Sequence, residues 1–264
     1  MCCQLKMSYS KARLIFSMTL IGAIFSGVGQ AGATKPKYGP ATAPRAVPLS
    51  ASNEYFRSKD HAAPDFWNLI GFYVPQVTGS SCSAASVSMV LNAARAGLPK
   101  SADDKVILQP DLIEAVKTEH WKKLLSLPGY QGERGVTLDR LGRVVEAAFK
   151  EFGFAKVSTR VVHAENTPEA KKALVEALAE NEKSSRDFII ANFNQQAYTD
   201  DADAGHISPV GAYDSETGRV LILDSDREYY EPYWVSVDTF LRGMATQDST
   251  AKKARGYVVV HLGS

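Results

Sequence analysis

The sequence predicts an α+β fold in which a helical N-terminal half packs against a C-terminal antiparallel sheet. Three observations carry that reading. Segments with a 3.6-residue apolar period lie between residues 80 and 181. Short β-rich runs, "DFIIANF", "HISPVGAY", "RVLILD" and "GYVVVHL", follow from residue 187 onward. Between the second and third of these, "DSETG" is a hairpin-type turn.

Each helix has its own signals. Ser80 and Ser81 stand where an N-cap belongs, Val87, Val90, Leu91 and Ala94 share one face, and Gly97 with Pro99 stops the run. "PDLIEAVKTEHWKKLLSL" opens with Pro110 in a helix-initiating position. Thr137 caps a third helix whose stripe is Leu138, Leu141, Val145, Ala148 and Phe152, closed by Gly153. A fourth begins at Thr167 and Pro168. A cleft is expected between the helical half and the sheet.

Composition sets the class. The 264 residues are 45% hydrophobic and 22% charged, which is ordinary for a globular chain, and the formal charge of +1 gives no reason to expect nucleic acid. Residues 1–33 differ: a basic start with Lys6, Lys11 and Arg13, the apolar run "LIFSMTLIGAIFSGV", then "AGA". That is the pattern of a secretory signal peptide, too short for a stable span, so an exported and periplasmic protein without a membrane span is expected. Residues 34–60 hold four prolines and read as an extended arm, and residues 61–264 read as one catalytic domain. Cleavage would move the charge from +1 to −2 and remove Cys2 and Cys3, leaving Cys82 alone. A lone thiol in an exported protein is either intermolecular or reactive.

Cys82 is placed at the start of the first strong helix, where unpaired N–H groups and the helix dipole favour a thiolate. Gln76, six residues upstream on a Pro- and Gly-containing loop, is the candidate second donor to an oxyanion, beside the Cys82 backbone N–H. Of five histidines, His61, His120, His163 and His261 read as surface or structural. His206 opens a strand after an acidic, glycine-containing approach, and the next strand ends at Asp224. The "DSETG" hairpin would return Asp224 to the start of the His206 strand, the position of an orienting carboxylate. Singly, His206 reads equally well as a core histidine and Asp224 as a turn residue. Together with Cys82 they favour a Cys–His–Asp site.

With those residues in hand, the chain resembles the catalytic domain of phytochelatin synthase in its short prokaryotic form. The resemblance rests on "QVTGSSCSAASVSMVLNA", "NFNQQA", "GHISPVGAY", "LILDSDREYYEPYWV" and a closing "RGY". It implies a papain-like fold with Cys82 as nucleophile, His206 as base, Asp224 orienting it and Gln76 in the oxyanion hole. It also implies Arg227 and Tyr230 as substrate-binding residues at the γ-glutamyl end, against a reading of both as a strand-end ion pair and a packed aromatic. The implied reaction removes glycine from glutathione through a γ-glutamylcysteinyl thioester. Water then completes hydrolysis, or a second glutathione takes the acyl group to give a phytochelatin.

No tightly bound cofactor or metal ligand set is expected. A heavy-metal ion such as cadmium is left open as activator or as the glutathione thiolate, and so is a homodimer. Ser83, where many family members carry glycine, and the lack of a cysteine-rich extension favour hydrolysis. Two other readings compete: a papain-like leader peptidase of the bacteriocin-processing type, and a non-catalytic thiol or metal-binding protein.

Overall fold

Every strand after the first helices is antiparallel to its neighbours, and the sheet they build carries helices on both faces. The computed structural model describes residues 35–40 and 42–263, so the signal-peptide reading of residues 1–33 lies outside the described residues. In chain order the strands are β1 (Ala46–Pro48), β2 (Val157–His163), β3 (Asp187–Asn194), β4 (Gly205–Asp214), β5 (Arg219–Ile222), β6 (Tyr233–Ser236) and β7 (Gly256–Leu262). The helices are α1 (Pro64–Ile70), α2 (Cys82–Ala96), α3 (Gln109–Ala115), α4 (Trp121–Leu124), α5 (Leu138–Glu151), α6 (Pro168–Asn181), α7 (Gln195–Thr199) and α8 (Val237–Met244). The sheet order is β1-β6-β5-β4-β3-β7-β2, and the α+β class holds.

The period of two in a strand explains the double-sided core. Along β3, Phe188 and Ile190 face the side covered by α2 and α5, while Ile189, Ala191 and Phe193 face α6–α8. A strand buried on both faces reads as a continuous apolar run, which is how "DFIIANF" reads. Each large side chain fully buried in these layers, Phe149, Phe188, Phe240 and Trp121 among them, contributes about 1.5–3 kcal/mol of transfer free energy.

Two segments depart from the sequence reading. The helix expected to run on from Pro110 is broken: Val116 is extended, and Glu119 and His120 take left-handed φ values of 59° and 54°. The break turns Trp121 inward, fully buried, with its Nε1 donating to Ser83 Oγ at 3.0 Å. Residues 46–57 fall in the stretch read as an arm, and they pack into the fold. β1 pairs with β6, and Tyr55 and Phe56 lie against Trp234 at ring separations of 5.5 and 5.9 Å.

The hairpin that matters is β4–β5. Its register shifts between Val210 and Ala212, where Gly211 sits so close that a Cβ would stand 2.9 Å from Leu223. The chain leaving β5 then lies back along β4, with Leu223 N donating to Pro209 O at 3.0 Å and Ser225 N to Ser208 Oγ at 3.1 Å.

Candidate active site

Cys82 is the first residue of α2, half-buried and a free thiol. The turn before it is closed by its own side chains: Thr78 N donates to Ser81 Oγ at 2.8 Å and Ser81 Oγ to Thr78 O at 3.0 Å. Ser81 occupies the N-cap position without a side-chain cap bond, which leaves first-turn amides of α2 for other acceptors. Ser83, the residue after the nucleophile, is fully buried and its Oγ accepts from Trp121 Nε1 at 3.0 Å.

The strand start and the hairpin end bring the other two residues together as the sequence implied. His206 Nε2 donates to Asp224 Oδ1 at 2.7 Å, and the Cys82 thiol is an electrostatic neighbour of the same ring. With Nε2 committed to Asp224, Nδ1 is the nitrogen left for the thiol. Phe193 stands edge-on to the imidazole at 5.5 Å and 84°. Ser86 lies between the two sides: its hydroxyl stands 2.8 Å from Cys82 O and 3.0 Å from Ile207 O, the residue after the histidine, with one proton shared between the two carbonyls.

Electrostatics follow from burial and pairing. Asp224 is fully buried, which alone would raise its pKa. The facing imidazole and the bonds from His206, Tyr233 and the Asp226 amide outweigh burial and hold it below the usual carboxylate range. Burial likewise disfavours a charged His206, yet Asp224 and Cys82 beside it hold the ring well above the ordinary histidine value. The site therefore favours an imidazolium paired with a buried carboxylate.

The remaining predicted residues divide differently. Gln76 is pinned by its backbone, its N donating to Ser225 O at 2.8 Å, and its Oε1 is buried without a partner among the described residues. Arg227 and Tyr230 are not brought to the cavity beside Cys82. Arg227 donates to Tyr73 O at 3.0 Å and lies 4.2 Å over the Tyr73 ring, while the Tyr73 hydroxyl donates to Asp224 O at 2.7 Å. Tyr230 is buried, donates to Asp201 Oδ2 at 2.8 Å and packs on Tyr233. Each touches an aromatic residue that itself bonds Asp224, Arg227 through Tyr73 and Tyr230 through Tyr233.

A cavity of about 170 Å³ opens at Cys82, lined among others by Ile207, Asn192, Arg134, Asp248 and Arg255. Sequence reasoning missed its polar residues, although "NFNQQA" contains Asn192 and "RGY" contains Arg255. Arg255 is 8% exposed, Nη1 donates to Thr246 Oγ1 at 3.1 Å, and Nε is buried with no partner among the described residues. Gly256 fixes its position: a Cβ there would stand 1.9 Å from Val162 O, so only glycine fits this approach of β7 to β2. Asp248 is half-buried, and its Oδ1 accepts from Thr250 N at 2.8 Å. A buried guanidinium near a carboxylate, at the mouth of a nucleophile, can hold the carboxylate and ammonium of an amino-acid head group.

Comparison with known proteins identifies the family. The family model for phytochelatin synthase matches residues 47–257. The glutathione gamma-glutamylcysteinyltransferase 1 of Arabidopsis thaliana is 25% identical over 202 residues, which is 74% of this chain and 36% of that protein. The glutathione gamma-glutamylcysteinyltransferase 3 of Lotus japonicus is 31% identical over 102 residues, 33% of this chain and 21% of the relative. The enzyme of Schizosaccharomyces pombe is 38% identical over 56 residues, 21% of this chain and 14% of its own. The chain spans well under half the length of the curated relatives it matches. The matched model covers both strands and helices of the Cys82, His206 and Asp224 site, and the chain belongs to the phytochelatin synthase family.

Proposed function

We propose that this protein is a glutathione-deglycylating enzyme that acts through a Cys82 thioester, with His206 as acid–base and Asp224 as the orienting carboxylate. The observation that carries the reading is the thiol–imidazole–carboxylate line at the start of α2, facing a cavity with a buried Arg255 and Asp248. Membership of the family supports glutathione as the donor.

The proposed steps are these. The thiolate of Cys82 attacks the carbonyl carbon between the cysteine and glycine of glutathione. A tetrahedral intermediate forms, its oxyanion met by the Cys82 N–H and by the side-chain amide of Gln76. Imidazolium His206 gives its proton to the glycine nitrogen, the C–N bond breaks, and glycine leaves. Neutral His206 then takes a proton from water as its oxygen attacks the thioester. The C–S bond breaks, the thiolate is regenerated beside the imidazolium, and γ-glutamylcysteine departs. When the amine of a second glutathione attacks instead, the product is the longer peptide. The partition depends on how well water is excluded while that amine is positioned. Arg255 and Asp248 are suited to the γ-glutamyl carboxylate and ammonium.

Hydrolysis is the proposed main outcome, and glutathione whose thiol carries a heavy-metal ion such as cadmium is proposed as an alternative form of the substrate. Export to the periplasm is proposed from the basic, apolar and small-residue pattern of residues 1–33. The test is product analysis by mass spectrometry, with and without cadmium, for wild type and Cys82→Ala. The wild type should release glycine and accumulate a thioester adduct on Cys82, and the variant should do neither. Glycine release by Cys82→Ala at the wild-type rate overturns the mechanism.

A further inference from the structure

We propose that Arg134 binds the carboxylate of the departing glycine, so that a free C-terminal carboxylate on the leaving residue is a specificity requirement of the donor. The inference rests on the glutathione reading above and adds the residue that selects the far end of the substrate.

A charge count motivates it. Glutathione at neutral pH carries two carboxylates and one ammonium. The cavity at Cys82 is lined by two guanidinium groups, Arg134 and Arg255, and one carboxylate, Asp248. Arg255 and Asp248 are electrostatic neighbours, and together they match the zwitterionic γ-glutamyl head. One carboxylate of the substrate and one cation of the site are left over.

Arg134 is built to be that cation. Its Nη2 donates to Ser80 Oγ at 2.5 Å, two residues before the nucleophile, which holds the guanidinium beside the turn that presents Cys82. The nearest carboxylate in sequence is Glu133, and that one is engaged by Arg140. Among the described residues Arg134 makes no ion pair, so a forked donor is left for an incoming carboxylate. The loop that carries it is tightly made. A Cβ on Gly129 would stand 2.2 Å from Glu133 O, Tyr130 N donates to Glu133 O at 2.9 Å, and Gly135, with φ +77°, donates to Leu124 O at 2.9 Å. Arg134 is exposed, as suits a group that must release a small product after each acyl transfer.

Steady-state kinetics with two donors tests this: glutathione, and the analogue whose glycine ends in a carboxamide. Wild type should favour glutathione by about 10- to 100-fold in kcat/KM, the range for one charge-assisted contact. Arg134→Gln should lose that preference by slowing on glutathione alone, and Arg134→Lys should lie between. Unchanged turnover of the amide by the variant also shows that it is folded. Equal loss on both donors, or a wild type indifferent to amidation, overturns the inference while leaving the glutathione reading intact. A wild type that releases neither glycine from glutathione nor glycinamide from the analogue overturns both.

Discussion

The Tyr233 hydroxyl donates to Asp224 Oδ2 at 2.6 Å, on the carboxylate oxygen that His206 does not use. Asp224 is thus held from both sides, with the Asp226 amide at 2.8 Å on Oδ1 and Gln195 Nε2 at 3.4 Å on Oδ2. Tyr233→Phe leaves Oδ2 with the long Gln195 contact alone. The expected result is a kcat for glycine release lowered by about tenfold, KM unchanged, and a stability loss of about 1–3 kcal/mol in urea unfolding, the usual cost of an unpaired buried acceptor.

The His206–Asp224 pair sets a pH window. His206 is raised, so its contribution to stability is complete below the ordinary histidine pKa and is lost as pH rises through the raised value. Asp224 is lowered, so its contribution is present above the ordinary carboxylate pKa and is lost as pH falls through the depressed value. Activity that uses the imidazolium should therefore persist above the ordinary histidine range. In Asp224→Asn the alkaline limb should move to lower pH and the rate fall by about 10²–10⁴, as for other triads that lose the orienting carboxylate. A pH profile of kcat/KM with an unmoved alkaline limb would remove Asp224 from its assigned role.

Arg255 and Arg227 should separate in kinetics. Arg255→Lys keeps a charge and loses the fork, so KM for glutathione should rise about tenfold. Arg227→Gln should leave KM where it is and lower kcat or the melting temperature, because Arg227 reaches Asp224 only through Tyr73. A KM effect confined to Arg227→Gln would reverse the assignment.

Asp65 offers a stability test away from the site. It is 1% exposed, neither carboxylate oxygen has a hydrogen-bond partner among the described residues, and burial with Asp187 and Glu182 nearby raises its pKa well above the usual value. A raised carboxylate binds its proton more tightly in the fold. Stability should therefore fall as pH rises from the ordinary carboxylate range through the raised value. Asp65→Asn should remove that slope and stabilise the protein by about 1–3 kcal/mol at pH 8, read by thermal unfolding at pH 5 and pH 8.

Much of the site was legible because its geometry is local. A hairpin turn places Asp224 opposite His206 from sequence alone, and a helix start places Cys82. The cavity wall was not legible in that way. Arg255 and Asn192 meet only because β7 pairs with β3, a long-range pairing that no short motif announces. Arg227 and Tyr230 sit in a quoted motif, but a motif does not say which way its side chains turn, and these turn toward Tyr73 and Asp201. The run "KVSTRVVH", which contains β2, was passed over although its valines and threonine favour a strand. The broken helix before Trp121 went unseen because a left-handed pair at Glu119 and His120 has no composition signal.

The Ser86 hydroxyl, its one proton shared between Cys82 O and Ile207 O, works as a rivet through a helix–strand seam. Nucleophile and base ride on opposite plates of that seam, so their spacing is a mechanical property of the joint. Heat or denaturant that only parts the plates should silence the enzyme while the β-structure still stands. Inactivation should therefore run ahead of unfolding, and Ser86→Ala should widen the gap between the two.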